Sequence, residues 1–249
     1  MMAQRGKLIA LEGIDGSGKR TQLDLLARAL DARGLATVRI SFPRYESFFG
    51  KLVGRFLNGD FGSVSQVDPH LSALLYAGDR FEARGELESA LAKGTIVLAD
   101  RYIGSNLAHQ SERVPPDQRD EFAGWLKRLE YGLYGLPVED LVVYLRVPAV
   151  EAHRMVGLKT ARTYTTLQRD ILEADISHLE QTALIYDRLA TEPNWVRIDC
   201  TDARSESMSG AMPGATSVAL LSPEEIHRAV LQAVESRILV RASDIAAKL

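Results

Sequence analysis

The stretch Glu12-Gly13-Ile14-Asp15-Gly16-Ser17-Gly18-Lys19-Arg20-Thr21 restricts what this chain can fold into more than any other part of it. It sets G-x-x-x-x-G-K between the apolar run Lys7–Leu11 and a segment, Lys19–Arg33, whose Leu23, Leu26, Ala27 and Leu30 share one helical stripe before Gly34. A buried strand, a tight glycine turn and a helix N-terminus in this order form a cradle for phosphate oxygens. Glycines let backbone N–H groups converge, the helix end adds positive potential, and Lys19 can bridge the β- and γ-phosphates of a nucleotide. A chance glycine-rich turn has no reason to carry both flanking elements. Gly13, Asp15, Gly16, Ser17, Gly18, Lys19, Arg20 and Thr21 are therefore the candidate nucleotide-binding residues.

The rest of the chain repeats the alternation. Ala36–Ser41, Thr95–Ala99, Leu141–Leu145 and Trp195–Asp199 read as further strands. Helical patterns cover Gly50–Leu57, Pro69–Lys93 (stopped by Gly94), 149–157 and 168–190, and a last helix opens at Ser222-Pro223-Glu224-Glu225 with a cap and first-turn acids. Strands alternating with helices predict a three-layer α/β/α fold around a five-stranded parallel sheet, as one domain over residues 1–249. Residues 203–221, rich in Ser, Gly, Ala and Met, interrupt the step to the final helix and read as a mobile surface insertion. Ligands of such sheets sit beyond the strands' carboxyl ends. That rule selects Gly13–Thr21, Phe42–Tyr45 and Asp100–Arg101.

Taken together, these segments resemble the thymidylate kinase family of P-loop nucleoside monophosphate kinases. EGIDGSGKRTQ is similar to that family's phosphate loop, in which the acid at Asp15 would reach the acceptor's sugar hydroxyl. Phe42-Pro43-Arg44-Tyr45 is similar to its FPRY segment, where the basic residue approaches the acceptor phosphate and the Phe-Pro pair shapes the base pocket. Leu74-Leu75-Tyr76-Ala77-Gly78-Asp79-Arg80 resembles its LLF-x-x-x-R helix. Tyr76 and Arg80, four apart, would offer a ring and a planar guanidinium to a nucleobase. Asp100-Arg101-Tyr102 resembles its DRY element, followed by Ser105-Asn106. The resemblance implies that Asp100 orders the magnesium shell and Arg101 clamps the acceptor phosphate. Asn106 would meet the base edge, with Ser105 beside it. His109 stands where relatives often place an aromatic ring over the sugar. Residues 158–175, with Lys159, Arg162, Tyr164 and Arg169, fall where the family closes a lid over ATP, and Arg162 is the first candidate for a transition-state arginine.

The resemblance implies transfer of the γ-phosphoryl of ATP to dTMP, with Mg²⁺, in a homodimer. Catalytic roles would fall to Lys19, Arg101, Asp15 and Arg162. Ser or Thr ordinarily follows Gly-Lys and gives its hydroxyl to Mg²⁺; here Arg20 occupies that position, with Thr21 next. Either the ion is held through water by Asp100 or Asp15, or Arg20 takes over part of the charge neutralisation. A kinase for another monophosphate, a deoxynucleoside kinase using Asp100 as base, a nucleotide-dependent switch and a degenerate homologue are the competing readings. Arg44, Arg80 and Arg101 favour a phosphorylated acceptor, and no NKxD guanine motif accompanies the loop.

Composition excludes other classes. A formal net charge of -3 over 249 residues argues against a nucleic-acid partner. The one cysteine, Cys200, fits a small buried residue at a strand end in a reducing compartment. No run approaches the roughly 20 apolar residues of a membrane span, and the apolar stretch near the start is too short for a secretory signal. A cytoplasmic chain is expected.

Overall fold

The computed structural model describes residues 5–157, 176–202 and 219–239. Its centre is a five-stranded sheet of β1 (Leu8–Glu12), β2 (Thr37–Ser41), β3 (Ile96–Asp100), β4 (Leu141–Arg146) and β5 (Trp195–Asp199), in the order β2-β3-β1-β4-β5. All neighbours are parallel, with Ala10 beside Ala99 on one side and Val142 on the other. The inner strands are continuous apolar runs because both faces are covered, and Leu8 to Leu11 have no exposed surface. The edge strand β5 alternates instead.

Helix α1 (Lys19–Asp31) and α8 (Pro223–Val234) pack together on one face. On the other lie α3 (Pro69–Ala92), α4 (Ile103–Glu112) and α7 (Ile176–Leu189), with α2 (Phe48–Leu57) on α3 and α5 (Arg119–Lys127) on α4. Helix α6 (Ala149–Gly157) follows β4. Side chains cap the starts of α3 and α8, the second as the sequence predicts. Asp68 accepts from the His70 N–H at 2.7 Å ahead of Pro69. Ser222 and Glu225 close a reciprocal capping box. No helix among the described residues is long and apolar enough to cross a membrane.

Helices α4 and α5 are absent from the sequence reading. Helix α4 is buried on every side from Ile103 to Ser111 although polar residues run through it, so no one-sided apolar stripe marks it in the sequence. Most of the 203–221 insertion lies outside the described residues. Its end does not run free: Leu220 bridges Thr201, and the Leu221 N–H donates to the Cys200 carbonyl at 2.9 Å. Cys200 is fully buried, and burial pushes its thiol up to about 12, as suits a packing residue.

One carboxyl sits in the core away from the sheet's carboxyl edge. Glu139, just before β4, accepts from the Tyr131 hydroxyl at 2.7 Å. Burial raises it to about 7, against a lowering by Tyr131. The folded chain then binds a proton there between about pH 4.5 and 7 that the unfolded chain releases. This contribution to stability is complete below the unfolded value and is lost as pH rises through 7. Glu139→Gln, which keeps an acceptor for Tyr131, should raise unfolding free energy by about 1–3 kcal/mol at pH 8. At pH 5 it should change little. Urea titrations at both pH values check this, and equal shifts at the two would contradict it.

Candidate active site

The loop after β1 is built around backbone that only glycine allows. Gly16 has φ 88°, and a Cβ there would lie 2.1 Å from the Ala152 carbonyl oxygen of α6. Gly18 caps α1 at φ 85°, and an added Cβ would meet nothing within 4 Å. No side chain caps α1, so its first N–H groups have no side-chain partner, the arrangement that receives phosphate. Lys19 folds over the mouth, donating to the Gly13 carbonyl at 2.8 Å and the Ile14 carbonyl at 2.9 Å. Ser17 is buried, whereas Arg20 and Thr21 are exposed.

Arg101, just past β3, holds φ 66°, the left-handed region that a side chain rarely adopts. This turn aims its guanidinium back across the loop. One nitrogen donates to Asp15 at 2.6 Å, and the other to the Ser105 hydroxyl at 3.0 Å and the Gly13 carbonyl at 3.4 Å. Burial works against the charge, but Asp15 leads a set of acidic partners that hold the guanidinium well above its ordinary value.

Beneath it lies Glu12, fully buried at the end of β1. Its carboxylate accepts from the Tyr102 N–H (2.8 Å), the Ser105 N–H (2.9 Å), the Ser105 hydroxyl (2.6 Å) and the Tyr186 hydroxyl (2.9 Å). Burial, then Glu12, pushes the Tyr186 phenol well above its usual value, so it stays a donor. β1, α4 and α7 are thereby tied to one carboxylate. Ser105, expected at the substrate, turns inward instead: its proton goes to Glu12 and its lone pair to Arg101.

Phe42 is buried 5.9 Å from the Tyr102 ring, and the Phe42–Pro43 peptide is cis. Asp79, 1% exposed on α3, pins the next residues by accepting from the Arg44 N–H (2.8 Å) and the Ser47 hydroxyl (2.7 Å). The Arg44 guanidinium lies 3.3 Å from Glu86. Tyr45 and Tyr76 pack with Val53, Phe56 and Leu57 in a small second core beneath α2. Tyr76 and Arg80, neighbours on α3, therefore have different partners, the second core and Glu130. Arg80, 2% exposed, is gripped by Glu130 through Nε at 2.5 Å and Nη2 at 2.7 Å, leaving Nη1 outside the pair.

Asn106 donates its amide to the Ala73 carbonyl (3.0 Å) and to Glu130 (2.9 Å), which fixes the orientation of the group. Its Oδ1 is buried and has no partner. His109 is buried beside Arg101, its Nε2 3.4 Å from the guanidinium. Burial, then Arg101 and His178, holds the imidazole well below its ordinary value, so it is neutral.

Asp100 closes β3 with Oδ1 buried and without a partner, beside the phosphate loop. Asp15 is already engaged by Arg101, so Asp100 suits a hydrated divalent cation better. Among the described residues no group of three or more His, Cys, Asp or Glu could hold a metal. An ion here would complete its oxygen shell from nucleotide phosphates and water, as Mg²⁺ commonly does. Lys159, Arg162, Tyr164 and Arg169 lie outside the described residues.

Glu12, Glu130, Asp79 and Tyr186 were not singled out in the sequence. Only Glu12 gave a signal, an acid ending the apolar run LIAL.

A parallel sheet in this order, with an anion cradle after its central strand and an arginine clamped to the cradle's acid, defines a P-loop phosphotransferase. The family model described as thymidylate kinase matches residues 11–209. A thymidylate kinase of Mycobacterium tuberculosis is 32% identical over 187 residues, covering 74% of this chain and 86% of that protein. A thymidylate kinase of Plasmodium falciparum is 28% identical, covering 90% and 96%. The solved thymidylate kinase of Candida albicans superposes with a TM-score of 0.69 at 19% identity, over 93% of this chain and 92% of that one. This chain belongs to the thymidylate kinase family.

Proposed function

We propose that the protein transfers the γ-phosphoryl group of ATP to dTMP, giving dTDP and ADP. The observation that supports this reading is the 2.6 Å pair of Arg101 and Asp15, which sets a cation at the mouth of the phosphate loop, where an acceptor phosphate would meet it. A nucleoside monophosphate dianion is already a nucleophile, so no general base is needed, and the neutral, buried His109 acts as pocket wall. Lys19 exchanges its carbonyl partners for donor phosphate oxygens, and Arg101 turns toward the acceptor phosphate. Both place positive charge where it develops in the transition state. Mg²⁺ would be held by Asp100 and would neutralise charge on the phosphates. Arg162 is the candidate to complete the set from residues 158–175.

The base edge gives a finer reading. A thymine or uracil ring offers an N3–H donor and an O4 acceptor. The unpartnered Asn106 Oδ1 and the Nη1 of Arg80 suit those two atoms. Cytosine presents an acceptor at N3 and would leave Asn106 Oδ1 unsatisfied, a larger penalty than a missing methyl. Incubation with Mg·ATP and, separately, dTMP, dUMP, UMP, CMP and dGMP, with ADP release measured, tests this. dTMP should lead, with dUMP about 10–200-fold behind, as one methyl allows, and CMP last. Turnover of CMP matching dTMP would remove the base assignment, and silence with all five would remove the kinase reading.

The protein is further proposed to act as a homodimer through α2 and α3, where Phe48 (68% exposed) and Phe81 (46% exposed) leave apolar surface uncovered. A monomeric mass by light scattering would refute that.

A further inference from the structure

Behind Arg101 runs a line of side chains whose hydrogen-bond directions are fixed from both ends. Arg101 can only donate, and it faces His109 Nε2 at 3.4 Å. His109 Nδ1 lies 3.3 Å from His178 Nε2, on the first turn of α7. His178 Nδ1 lies 2.7 Å from the Glu112 carboxylate, at the end of α4. The carboxylate accepts, so His178 Nδ1 carries a proton. Were His178 Nε2 protonated as well, His109 would have to accept at Nδ1, and its own proton would sit on Nε2 against the Arg101 donor. With His178 Nε2 bare, His109 Nδ1–H donates to it, and the bare His109 Nε2 presents an acceptor to Arg101 Nη1, whose protons it shares with Ser105 and the Gly13 carbonyl.

We propose that His178 and Glu112 are positioning residues that lock His109 in the tautomer with a bare Nε2, and through it set the Arg101 guanidinium at the mouth of the phosphate loop, from where it meets the acceptor phosphate. The proposal rests on the reading that Arg101 faces that phosphate. Burial of His109 and the charge of Arg101 keep its imidazole neutral, so the tautomer, not the charge, is what the pair selects. The line also makes the set of Arg101 depend on the seat of α7 against α4.

The test combines ¹⁵N NMR of the histidine rings with steady-state kinetics on the full chain. In the wild type, His109 should show protonated Nδ1 and bare Nε2. His178→Phe keeps a ring but removes the acceptor, so His109 should shift its proton to Nε2. Turnover should then fall about tenfold to a hundredfold, as expected for a small misplacement of a charged group. The KM for dTMP should rise several-fold and that for ATP should stay put. His178→Gln, whose amide can donate to Glu112 and accept from His109, should recover most of the loss, and Glu112→Leu should mimic His178→Phe. A wild-type His109 protonated on Nε2 overturns the proposal without any variant. So does a folded His178→Phe with unchanged tautomer and kinetics. Arg101→Ala is run alongside: if it too has normal kinetics, the reading of Arg101 itself fails. If it is impaired while His178→Phe is not, only the positioning roles fail.

Discussion

Arg101→Ala should lower turnover with dTMP at least ~100-fold, the usual loss when one preorganised charge-stabilising group is removed. The fold should tolerate it. Asp15, its ion-pair partner, has 23% of its side chain exposed, so solvent can take over that carboxylate. The backbone at residue 101 keeps φ 66° whether Arg or Ala occupies it, so the cost of that conformation is unchanged. The melting temperature should therefore move little while activity collapses. Arg101→Lys separates charge from shape. An ammonium restores the positive charge but cannot span Asp15, Ser105 and a phosphate with one planar fork, so only part of the rate should return. Full activity in a folded Arg101→Ala protein would show that the guanidinium is a structural tether.

Glu130→Ala should cause the largest loss of stability. Arg80 and Glu130 are 2% and 0% exposed, and their bidentate contact is the charge balance for that part of the core. Removing one partner leaves a buried guanidinium alone, a loss of about 3–5 kcal/mol. Against a total of roughly 5–15 kcal/mol this is a large fraction, and it corresponds to a drop on the order of 10 °C in Tm. Asn106 loses an acceptor in the same step. The double variant Arg80→Met, Glu130→Leu should regain much of the stability, because apolar groups of similar volume need no partner. It should not regain dTMP affinity, because the proposed contact from Arg80 Nη1 is gone. Urea unfolding and calorimetric titration with dTMP measure the two effects separately. A single variant that unfolds at the wild-type midpoint would contradict the burial described for the pair.

The parts of the fold legible in the sequence are those where one residue type is demanded locally. Gly16 and Gly18 announce their backbone conformations, and LIAL and TIVLA announce buried strands. Ser222-Pro223-Glu224-Glu225 announces a helix start. The candidate site is legible where it touches these landmarks: Lys19, Asp15 and Arg101, each named from its motif, come together at the phosphate loop. It was not readable where function arises from partners remote in the chain. Arg80 meets Glu130 across 50 positions, and Glu12 meets Tyr186 across 174. Glu130 lies in the charged run Lys127-Arg128-Leu129-Glu130, which looks like solvated surface. The same holds for Ser105: the family resemblance puts it beside Asn106 at the substrate, and nothing local reveals the Glu12 carboxylate that it bonds instead.

Helix α4 also bears on how this enzyme can change over generations. It carries Asn106 and His109, yet it is enclosed along nearly its whole length, with α3, α5 and α7 packed on it and the Glu12 and Trp195 side chains against Gly104. Most enzymes vary their substrates through surface loops that drift at little cost. On the proposed reading of Asn106 and His109, a new acceptor preference would require replacing core residues, so each step toward another nucleobase also risks the fold. Substitutions there should be tolerated mainly in compensated sets spanning several helices.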